Sequence, residues 1–345
     1  MTWWQILLFP FALLLDLITR IRNRLFDKEI IKPVQFETNV IGIGNLSVGG
    51  TGKSPMVAYL CEWLISHSIP ASTLSRGYKR KTKGFRIVTD EETAVTVGDE
   101  PYMFYQRYKD KINVVVGEER MYAIPELLFH FPETQVVLMD DAFQHRTVKP
   151  SLNIMITTFQ RPFYNDFLMP SGFLRESRSG AGRADIIIVS KCPMYLSEAD
   201  QRKISDQVAA YSDAKVFFTG IEYGNPVALF DERQPLNNQV IAISGIANAD
   251  IFHSFVDSNY QVKIHHQYGD HHTYTRLDIK GIVAELNTQT SLITTEKDAV
   301  KMRLFPELKG YSCYYLPIKI KFLKDETLFQ SMIKDSIEFR QKEIS

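Results

Sequence analysis

Short apolar runs alternate with segments of helical spacing along the chain from residue 39 onward. This alternation predicts an α/β fold, because strands and covering helices then follow one another along the chain. Val136 to Met139 are apolar at every position, which is typical of a strand buried on both faces of a parallel sheet. A helix is predicted over 56–67. The predicted strands of this part are 39–44, 71–75, 113–117, 135–140, 152–157 and 186–190.

The polar, turn-rich stretch 222–235 interrupts this pattern, and a second alternation follows it. A length of 345 residues is typical of about two domains. We therefore predict an N-terminal segment over 1–28, a larger α/β domain over 29–225 and a smaller α/β domain over 226–345. In the larger domain, 85–89 and 93–97 are predicted to pair as antiparallel strands. The strands predicted in the smaller domain are 240–244, 261–265, 291–295 and 313–320.

The N-terminal segment is apolar almost all round from residue 3 to residue 18. Four basic residues come after it: Arg20, Arg22, Arg24 and Lys28. A secretory signal carries its positive charge before the apolar run, so this reversed order argues against one. We interpret the segment as a helix lying in one membrane leaflet, with Trp3 and Trp4 at headgroup depth. A helix packed on the protein's own core and a single-pass anchor stay open as alternatives, although a spanning helix needs about 20 apolar residues.

Composition narrows the possible partners. The 40 Lys and Arg residues balance 40 Asp and Glu residues, and this zero net charge argues against a nucleic acid held by overall charge. Cys61, Cys192 and Cys313 lie far apart, without metal-ligand spacing, and are expected to be buried in a protein of a reducing compartment. The sequence implies no protein partner.

A glycine-rich loop follows the strand at 39–44 and precedes the helix at 56–67. Backbone amides of such a loop and of the next helix surround phosphates. We expect Lys53 to reach the β- and γ-phosphates and the Ser54 hydroxyl to bind Mg²⁺. Ser47 stands where the usual pattern has its first glycine, so the loop is a variant. The predicted phosphate-binding residues are Ser47, Val48, Gly49, Gly50, Thr51, Gly52, Lys53 and Ser54.

The larger domain is therefore predicted to be P-loop NTPase-like, with a mostly parallel sheet. The second half of such a nucleotide site is an acidic residue at the end of a hydrophobic strand, and Asp140 has that place, where it would hold Mg²⁺ directly or through water. A kinase also needs a group that orients the acceptor hydroxyl. Asp99 and Glu100 in one turn, and His271 beside Asp270, are candidates. The residues alone leave their pairing open.

Two other functions use the same phosphate loop. A GTPase that delivers metal would carry a guanine-reading Asn/Thr-Lys-x-Asp element, and neither 190–193 nor 295–298 fits it. A nucleotide-dependent membrane scaffold would need no acceptor-orienting group. The motifs around Asp99 and His271 therefore discriminate between a kinase and a scaffold.

Eight segments, in order from residue 44 to residue 301, resemble the tetraacyldisaccharide 4′-kinase family. They are GNLSVGGTGKSP at 44–55, SRGYKR at 75–80, VGDEP at 97–101, DDAFQH at 140–145, PSGFLRE at 170–176, SGIAN at 244–248, DHH at 270–272 and TEKDAVK at 295–301. Ser171 and Phe173 depart from the Ala and Pro expected of the family. The resemblance implies a lipid A biosynthesis enzyme at the cytoplasmic face of the bacterial inner membrane. Its substrates would be ATP and a tetraacylated glucosamine disaccharide 1-phosphate, which it phosphorylates on the 4′-hydroxyl.

The same resemblance implies site residues. Asp99 would be the base or hydroxyl-positioning group, with His271 as its partner and Asp141 in support. Glu100 would join Ser54 and Asp140 at the Mg²⁺ ion. The predicted clamps for the phosphate of the lipid disaccharide are Arg76, Arg120 and Arg175. Lys297 and Asp298 would approach the nucleotide when the two domains close, in a role that stays open.

Overall fold

The computed structural model describes residues 3–230 and 234–344, without the side chains of Trp4 and 341–344. Part of the predicted junction at 222–235 and the predicted depth of the Trp4 ring therefore lie outside the described residues. The strands are β1 Asn39–Asn45, β2 Ala71–Ser75, β3 Arg86–Ile87, β4 Asn113–Val116, β5 Val136–Asp140, β6 Leu152–Thr158, β7 Ile186–Ser190, β8 Lys215–Tyr223, β9 Val227–Ala228, β10 Gln239–Ser244, β11 Gln261–Gln267, β12 Thr290–Thr295, β13 Cys313–Leu316 and β14 Ile318–Phe322. The helices are α1 Trp3–Asp27, α2 Lys53–Ser66, α3 Ala94–Val97, α4 Asp99–Tyr108, α5 Arg120–His130, α6 Glu198–Ala209, α7 Asp250–Asn259, α8 Arg276–Glu285, α9 Glu296–Met302 and α10 Glu326–Ile344.

These strands form two sheets. The first has nine strands in the order β14-β8-β7-β6-β1-β5-β2-β4-β3, and only its edge pairs β3–β4 and β14–β8 are antiparallel. We call it, with its helices, the larger lobe. The second sheet has the order β11-β10-β12-β13-β9 and forms the smaller lobe together with α7, α8 and α9. The predicted α/β fold with a mostly parallel sheet is thus confirmed.

The burial of the central strands explains why they could be predicted from the sequence. All seven residues of β1 and all five of β5 are buried, as expected for the centre of a parallel sheet covered on both faces. Apolar side chains of α2, such as Met56, Leu60 and Leu64, pack on this sheet in one core cluster. The central strand β1 leads directly into the phosphate loop, so the rigid core fixes where the loop begins.

Two strand predictions were wrong. Residues 93–97 form the short helix α3, because Thr93 and Thr96 make a capping box in place of a sheet partner, and β3 pairs with β4 instead. The run 313–320 is two strands rather than one. Pro317 separates them, and β13 joins the smaller sheet while β14 joins the larger one.

The C-terminal part of the chain returns to the larger lobe. The prediction that 226–345 form the smaller domain is therefore corrected from Ile318 onward, because β14 and α10 belong to the larger lobe. Phe329, Ile333 and Ile337 on α10 lie at helical spacing and are buried in the core of the larger lobe. The two connections between the lobes run side by side, since the Gly224 amide donates to the Pro317 carbonyl oxygen at 2.9 Å.

Helix α1 projects a largely apolar surface away from the rest of the chain. Its inner side contacts the rest of the chain: Ala12 and Phe26 are buried, the Ser171 hydroxyl donates to the Gln5 carbonyl at 3.0 Å, and the Asn23 amide donates to Glu176 at 2.8 Å. Among the described helices, none combines the length and apolar character needed to span a membrane. The exposed large apolar residues of α1 are Trp3, Ile6, Leu7, Phe9, Phe11, Leu13, Leu14, Leu17, Ile18 and Ile21.

Candidate active site

A cleft with a volume of ≈ 480 Å³ lies between the lobes. The phosphate loop forms its floor, 246–248 and 295–297 of the smaller lobe form the facing wall, and the first turn of α4 stands beside them. In both sheets these residues follow the carboxyl ends of parallel strands, where open α/β sheets bind ligands.

The phosphate loop is held at both ends. Its first half is paired with the PSGFLRE segment, where the Val48 amide donates to the Phe173 carbonyl at 2.8 Å. Its second half is held by Ser190 at the end of β7, whose hydroxyl donates to the Thr51 carbonyl at 2.6 Å. Gly52 then turns the chain into α2 with φ of 95°, a left-handed conformation that glycine adopts without strain. The loop is therefore shaped before any phosphate enters it.

Lys53, the first residue of α2, forms an ion pair at the floor of the cleft. Its Nζ lies 3.3 Å from Asp141 Oδ1, and Arg175 Nη1 lies 3.0 Å from Asp141 Oδ2. Burial alone would raise the pKa of Asp141, but Lys53 and Arg175 outweigh burial and lower it to about 2. Asp141 itself has a left-handed φ of 50°, which turns its carboxylate away from the strand direction toward Lys53.

Ser54, Glu100 and Asp140 bring oxygen atoms together beside Lys53. The Ser54 hydroxyl donates to Glu100 Oε1 at 2.8 Å. Burial and the nearby Glu100 carboxylate raise the pKa of Asp140 to about 7. The buried Asp140, the half-buried Glu100 and a hydroxyl suit a hard cation, and Mg²⁺ commonly takes only one or two protein carboxylates beside phosphate and water. Within the described residues, no group of three or more His, Cys, Asp and Glu side chains forms a ready metal site.

Asp99 and His271 meet across the two lobes. Gly98, with φ of 98°, starts α4 and places Asp99 in its first turn. His271 Nδ1 lies 2.9 Å from Asp99 Oδ2, and Lys297 Nζ lies 3.0 Å from His271 Nε2. Because the ammonium group has only protons to donate, Nε2 accepts and Nδ1 carries the proton given to Asp99. Burial would raise the pKa of Asp99, but the His271 hydrogen bond and Lys297 lower it to about 2.

The smaller lobe contributes two lysines to the site. The sequence leaves the role of Lys297 open and does not identify Lys301. Lys297 bridges His271 and Glu100, with Nζ 3.1 Å from Glu100 Oε1. Asp298 is fully buried and accepts a hydrogen bond from the Gly245 amide at 2.7 Å, so it stabilises the backbone next to the site. Lys301, which was not predicted, lies 3.9 Å from Asp99. Its spacing of four residues from Lys297 on one helix was the available signal.

Two further cleft residues were also missed. The Tyr78 ring meets the His271 ring edge-on at 5.0 Å, and Tyr78 lies within the SRGYKR segment already singled out. Lys191 lines the cleft at the end of β7 with a left-handed φ of 58°, and burial lowers its pKa. In the sequence, Lys191 draws attention only as part of 190–193, which does not fit a guanine-reading element.

The three predicted arginine clamps have different surroundings. Arg76 is exposed and Arg175 partly exposed, and both line the cleft. Arg120 is 1% exposed, and its guanidinium donates to the carbonyls of Gly117 and Asp140. Burial lowers the pKa of Arg120 to about 10. The prediction that Arg120 binds the substrate is therefore corrected: its side chain holds the end of β5 in place and does not face the cleft.

A glycine-rich loop after the central strand, a lysine and a serine at the start of the next helix, and an aspartate ending the adjacent strand define a P-loop nucleotide-binding protein. The carboxylate–imidazole pair beside this loop is the kind of group that a phosphotransferase uses on an acceptor hydroxyl.

Comparison with known proteins gives the family. The model of the tetraacyldisaccharide-1-P 4′-kinase family, LpxK, matches residues 4–338, and the chain belongs to this family. A tetraacyldisaccharide 4′-kinase of Flavobacterium johnsoniae is 40% identical over 96% of this chain and 98% of its own length. One of Flavobacterium psychrophilum is 42% identical over 96% of each chain. The predicted resemblance and the kinase function in lipid A biosynthesis are thus confirmed.

A solved structure agrees with this assignment. The crystal structure of LpxK from Aquifex aeolicus, described as an "apo" form in complex with ATP, superposes with a TM-score of 0.76 at 27% identity. The match covers 96% of this chain and 99% of the Aquifex aeolicus chain, so it includes both lobes.

Proposed function

We propose that this kinase transfers the γ-phosphoryl group of ATP to the 4′-hydroxyl of a tetraacylated glucosamine disaccharide 1-phosphate. The observation that carries the proposal is the Asp99–His271 pair, which stands beside the phosphate loop in the same cleft. A membrane scaffold that only binds nucleotide has no use for such a pair.

Asp99 acts on the acceptor hydroxyl. With a pKa of about 2, its carboxylate is ionised at neutral pH and accepts a hydrogen bond from the 4′-hydroxyl. Phosphoryl transfer passes through a loose transition state, so the hydroxyl loses its proton late, as the new P–O bond forms and its acidity rises. Asp99 takes that proton, while the N–H of His271 keeps the carboxylate turned toward the acceptor.

Lys53 and the phosphate loop act on the nucleotide. The loop amides surround the phosphates, and Lys53 exchanges its contact with Asp141 for the β- and γ-phosphates. Asp141 then remains paired with Arg175, which is 3.0 Å away. Arg175 and the exposed Arg76 are the proposed contacts for the phosphate of the acceptor.

Ser54, Glu100 and Asp140 are the residues that would hold Mg²⁺, because their oxygens converge next to Lys53. The bound ion supplies positive charge that stabilises the transferring phosphoryl group. The Glu100 and Asp140 carboxylates, whose mutual repulsion contributes to the raised pKa of Asp140, would share this ion.

The acceptor is a lipid, and we propose that α1 lies on the cytoplasmic face of the inner membrane in a peripheral or monotopic manner. The support is the exposed apolar surface of α1, on which Leu7 is 68% and Phe11 63% exposed. Each large apolar side chain that enters the bilayer contributes roughly 1.5–3 kcal/mol before ordering costs. We further propose that the two lobes act as separate domains that close over ATP.

The decisive experiment incubates the protein with ATP, Mg²⁺ and the detergent-dispersed disaccharide 1-phosphate, and follows phosphate on the lipid by mass spectrometry. We expect a product carrying one added phosphate at the 4′ position, and no product when EDTA removes Mg²⁺. Absence of transfer together with preferential binding of GTP would contradict the proposal.

A further inference from the structure

Helix α4 carries opposite charges at its two ends, and both ends are paired with the smaller lobe. At its beginning, Asp99 and Glu100 face His271 and Lys297. At its end, the polarity is reversed, and Arg107 faces an acidic residue of the smaller lobe. The second pairing lies about two helical turns from the reacting groups and has no part in the chemistry proposed above.

The Arg107 guanidinium joins three helices. It lies on α4, its Nη2 is 2.5 Å from Glu62 on α2, and its Nη1 is 3.0 Å from Glu296 on α9. Each of these helices carries proposed site residues at its N-terminus: Lys53 and Ser54 on α2, Asp99 and Glu100 on α4, and Lys297 on α9. A single side chain therefore contacts all three helices that assemble the site.

The pairing with Glu296 is the one that crosses between the lobes. Glu296 is largely buried, and burial raises the pKa of its carboxyl while Arg107 lowers it. Breaking such a pair leaves a buried charge without compensation, so the paired arrangement is strongly preferred. Glu62, by contrast, is 44% exposed and belongs to the same lobe as Arg107. Loss of the Glu296 contact is therefore expected to disturb the arrangement of the two lobes, whereas loss of the Glu62 contact is not.

Glu296 is also next to Lys297 in the first turn of α9. Thr295, the last residue of β12, caps this helix by accepting the Asp298 amide at 3.2 Å. With its start fixed by the cap and its first residue held by Arg107, α9 has one orientation relative to α4. That orientation sets the 3.0 Å contact of Lys297 with His271.

We propose that Arg107 and Glu296 are positioning residues, whose ion pair sets the arrangement of the two lobes in which Asp99, His271 and Lys297 are brought together. The inference rests on the proposed roles of Asp99 and His271. The Arg107 and Glu296 side chains both line the cleft, but the loop that binds the nucleotide phosphates lies wholly in the larger lobe. The inference therefore assigns to the pair an effect mainly on turnover.

Glu296→Gln is the main test, since it removes the charge and keeps the shape. We expect kcat to fall about 10- to 100-fold, the loss typical of small misplacements of reacting groups, with the ATP Kd within about twofold of wild type. Arg107→Met should have a similar effect, and the double variant should be no worse than either single one. Arg107→Lys keeps the positive charge but lacks the forked donor geometry of the guanidinium. It should retain part of the activity that Arg107→Met loses.

Glu62→Gln is the matched control, because it removes the other partner of the same guanidinium within one lobe. We expect its kcat to stay within about twofold of wild type, as for exposed ion pairs generally. A Glu296→Gln enzyme as active as wild type would overturn the inference. So would equal losses in Glu62→Gln and Glu296→Gln, or an Arg107→Lys variant no more active than Arg107→Met. Lack of transfer by the wild-type protein would instead refute the proposed function.

Discussion

His271 Nδ1 lies 2.9 Å from Asp99 Oδ2, although the two residues are 172 positions apart in the chain and belong to different lobes. The pair exists only while the lobes are in contact. Its formation therefore links the closing of the cleft to the positioning of the carboxylate proposed to act on the acceptor.

Replacing Asp99 tests that role directly. Asp99→Asn keeps the size of the side chain but removes the proton acceptor, so we expect kcat to fall about 10²- to 10⁴-fold. The ATP Kd, measured by calorimetry without the acceptor, should change by no more than about twofold, since nucleotide phosphates bind the loop of the larger lobe. Asp110→Asn, just beyond the same helix, is the control and should be fully active. Wild-type turnover in Asp99→Asn would remove Asp99 from the mechanism.

Arg76 and Arg120 are expected to respond in opposite ways. Arg76→Met should raise the KM for the lipid acceptor about tenfold or more, because a charged hydrogen bond contributes roughly 1.5–3 kcal/mol. Its free energy of unfolding should change by less than about 0.5 kcal/mol, as at other exposed sites. Arg120→Met should instead lower the free energy of unfolding by roughly 2–4 kcal/mol, because two buried carbonyls lose their donor. Urea denaturation and steady-state kinetics on both variants separate the two roles, and an Arg120→Met protein as stable as wild type would contradict this account.

Removing residues 1–20 should weaken membrane association and spare the fold. The exposed apolar surface of α1 lies mostly in this part, which also contains the buried Ala12 and the Gln5 carbonyl that accepts from Ser171. The contacts of Asn23 and Phe26 come after it and remain in the truncated protein. We expect the truncated protein to stay in the supernatant when it is sedimented with anionic vesicles that pull down the full chain. Its ATP affinity and unfolding transition should match those of the full chain, and its circular dichroism spectrum should differ only by the helical signal of the removed part of α1. Unchanged co-sedimentation would refute a membrane role for α1.

Stability should depend on pH through His145. Burial, reinforced by Arg120, lowers the pKa of His145 from 6.5 to about 4. As the pH falls, the His145 side chain is therefore protonated near pH 6.5 in the unfolded chain but only near pH 4 in the folded protein. The corresponding stability is fully present above pH 6.5 and is lost as the pH falls toward 4, by up to about 3 kcal/mol.

The His145→Gln variant isolates this contribution. Its free energy of unfolding should fall less than that of wild type between about pH 7 and about pH 4.5, in urea titrations at each pH. An identical loss in His145→Gln and wild type would show that other groups govern acid unfolding.

Much of the larger lobe could be predicted from local pattern. The predicted bounds of strands β2 and β7 agree with the structure to the residue. Ile186–Ser190 is apolar up to its last residue, whereas Ala71–Ser75 is a short run of small and β-branched residues with one leucine. The segment Thr93–Val97 failed because its alternation is also compatible with a helical turn, and a Thr–Thr capping box decided between the two. The split at Pro317 failed for another reason: strand propensity carries no information on which sheet a strand joins.

For the site residues too, local sequence predicts only what neighbouring residues determine. Lys53, Ser54 and Asp140 follow from local sequence, because loop, helix start and strand end are neighbours in the chain. Arg120 carries no local sign of its burial, since the carbonyls it holds belong to Gly117 and to the distant end of β5. The position of Lys297 depends on the contact between lobes, which no sequence window contains.

The smaller lobe is inserted between β8 and β14, which are neighbours in one sheet. In the order of synthesis, β14 and α10 therefore leave the ribosome only after the whole smaller lobe. Until they do, the core that Phe329, Ile333 and Ile337 complete stays open to solvent. A chain released before β14 thus has its phosphate loop but lacks the β14 edge of the same sheet, so the larger lobe is complete only after the smaller lobe and α10 have been made.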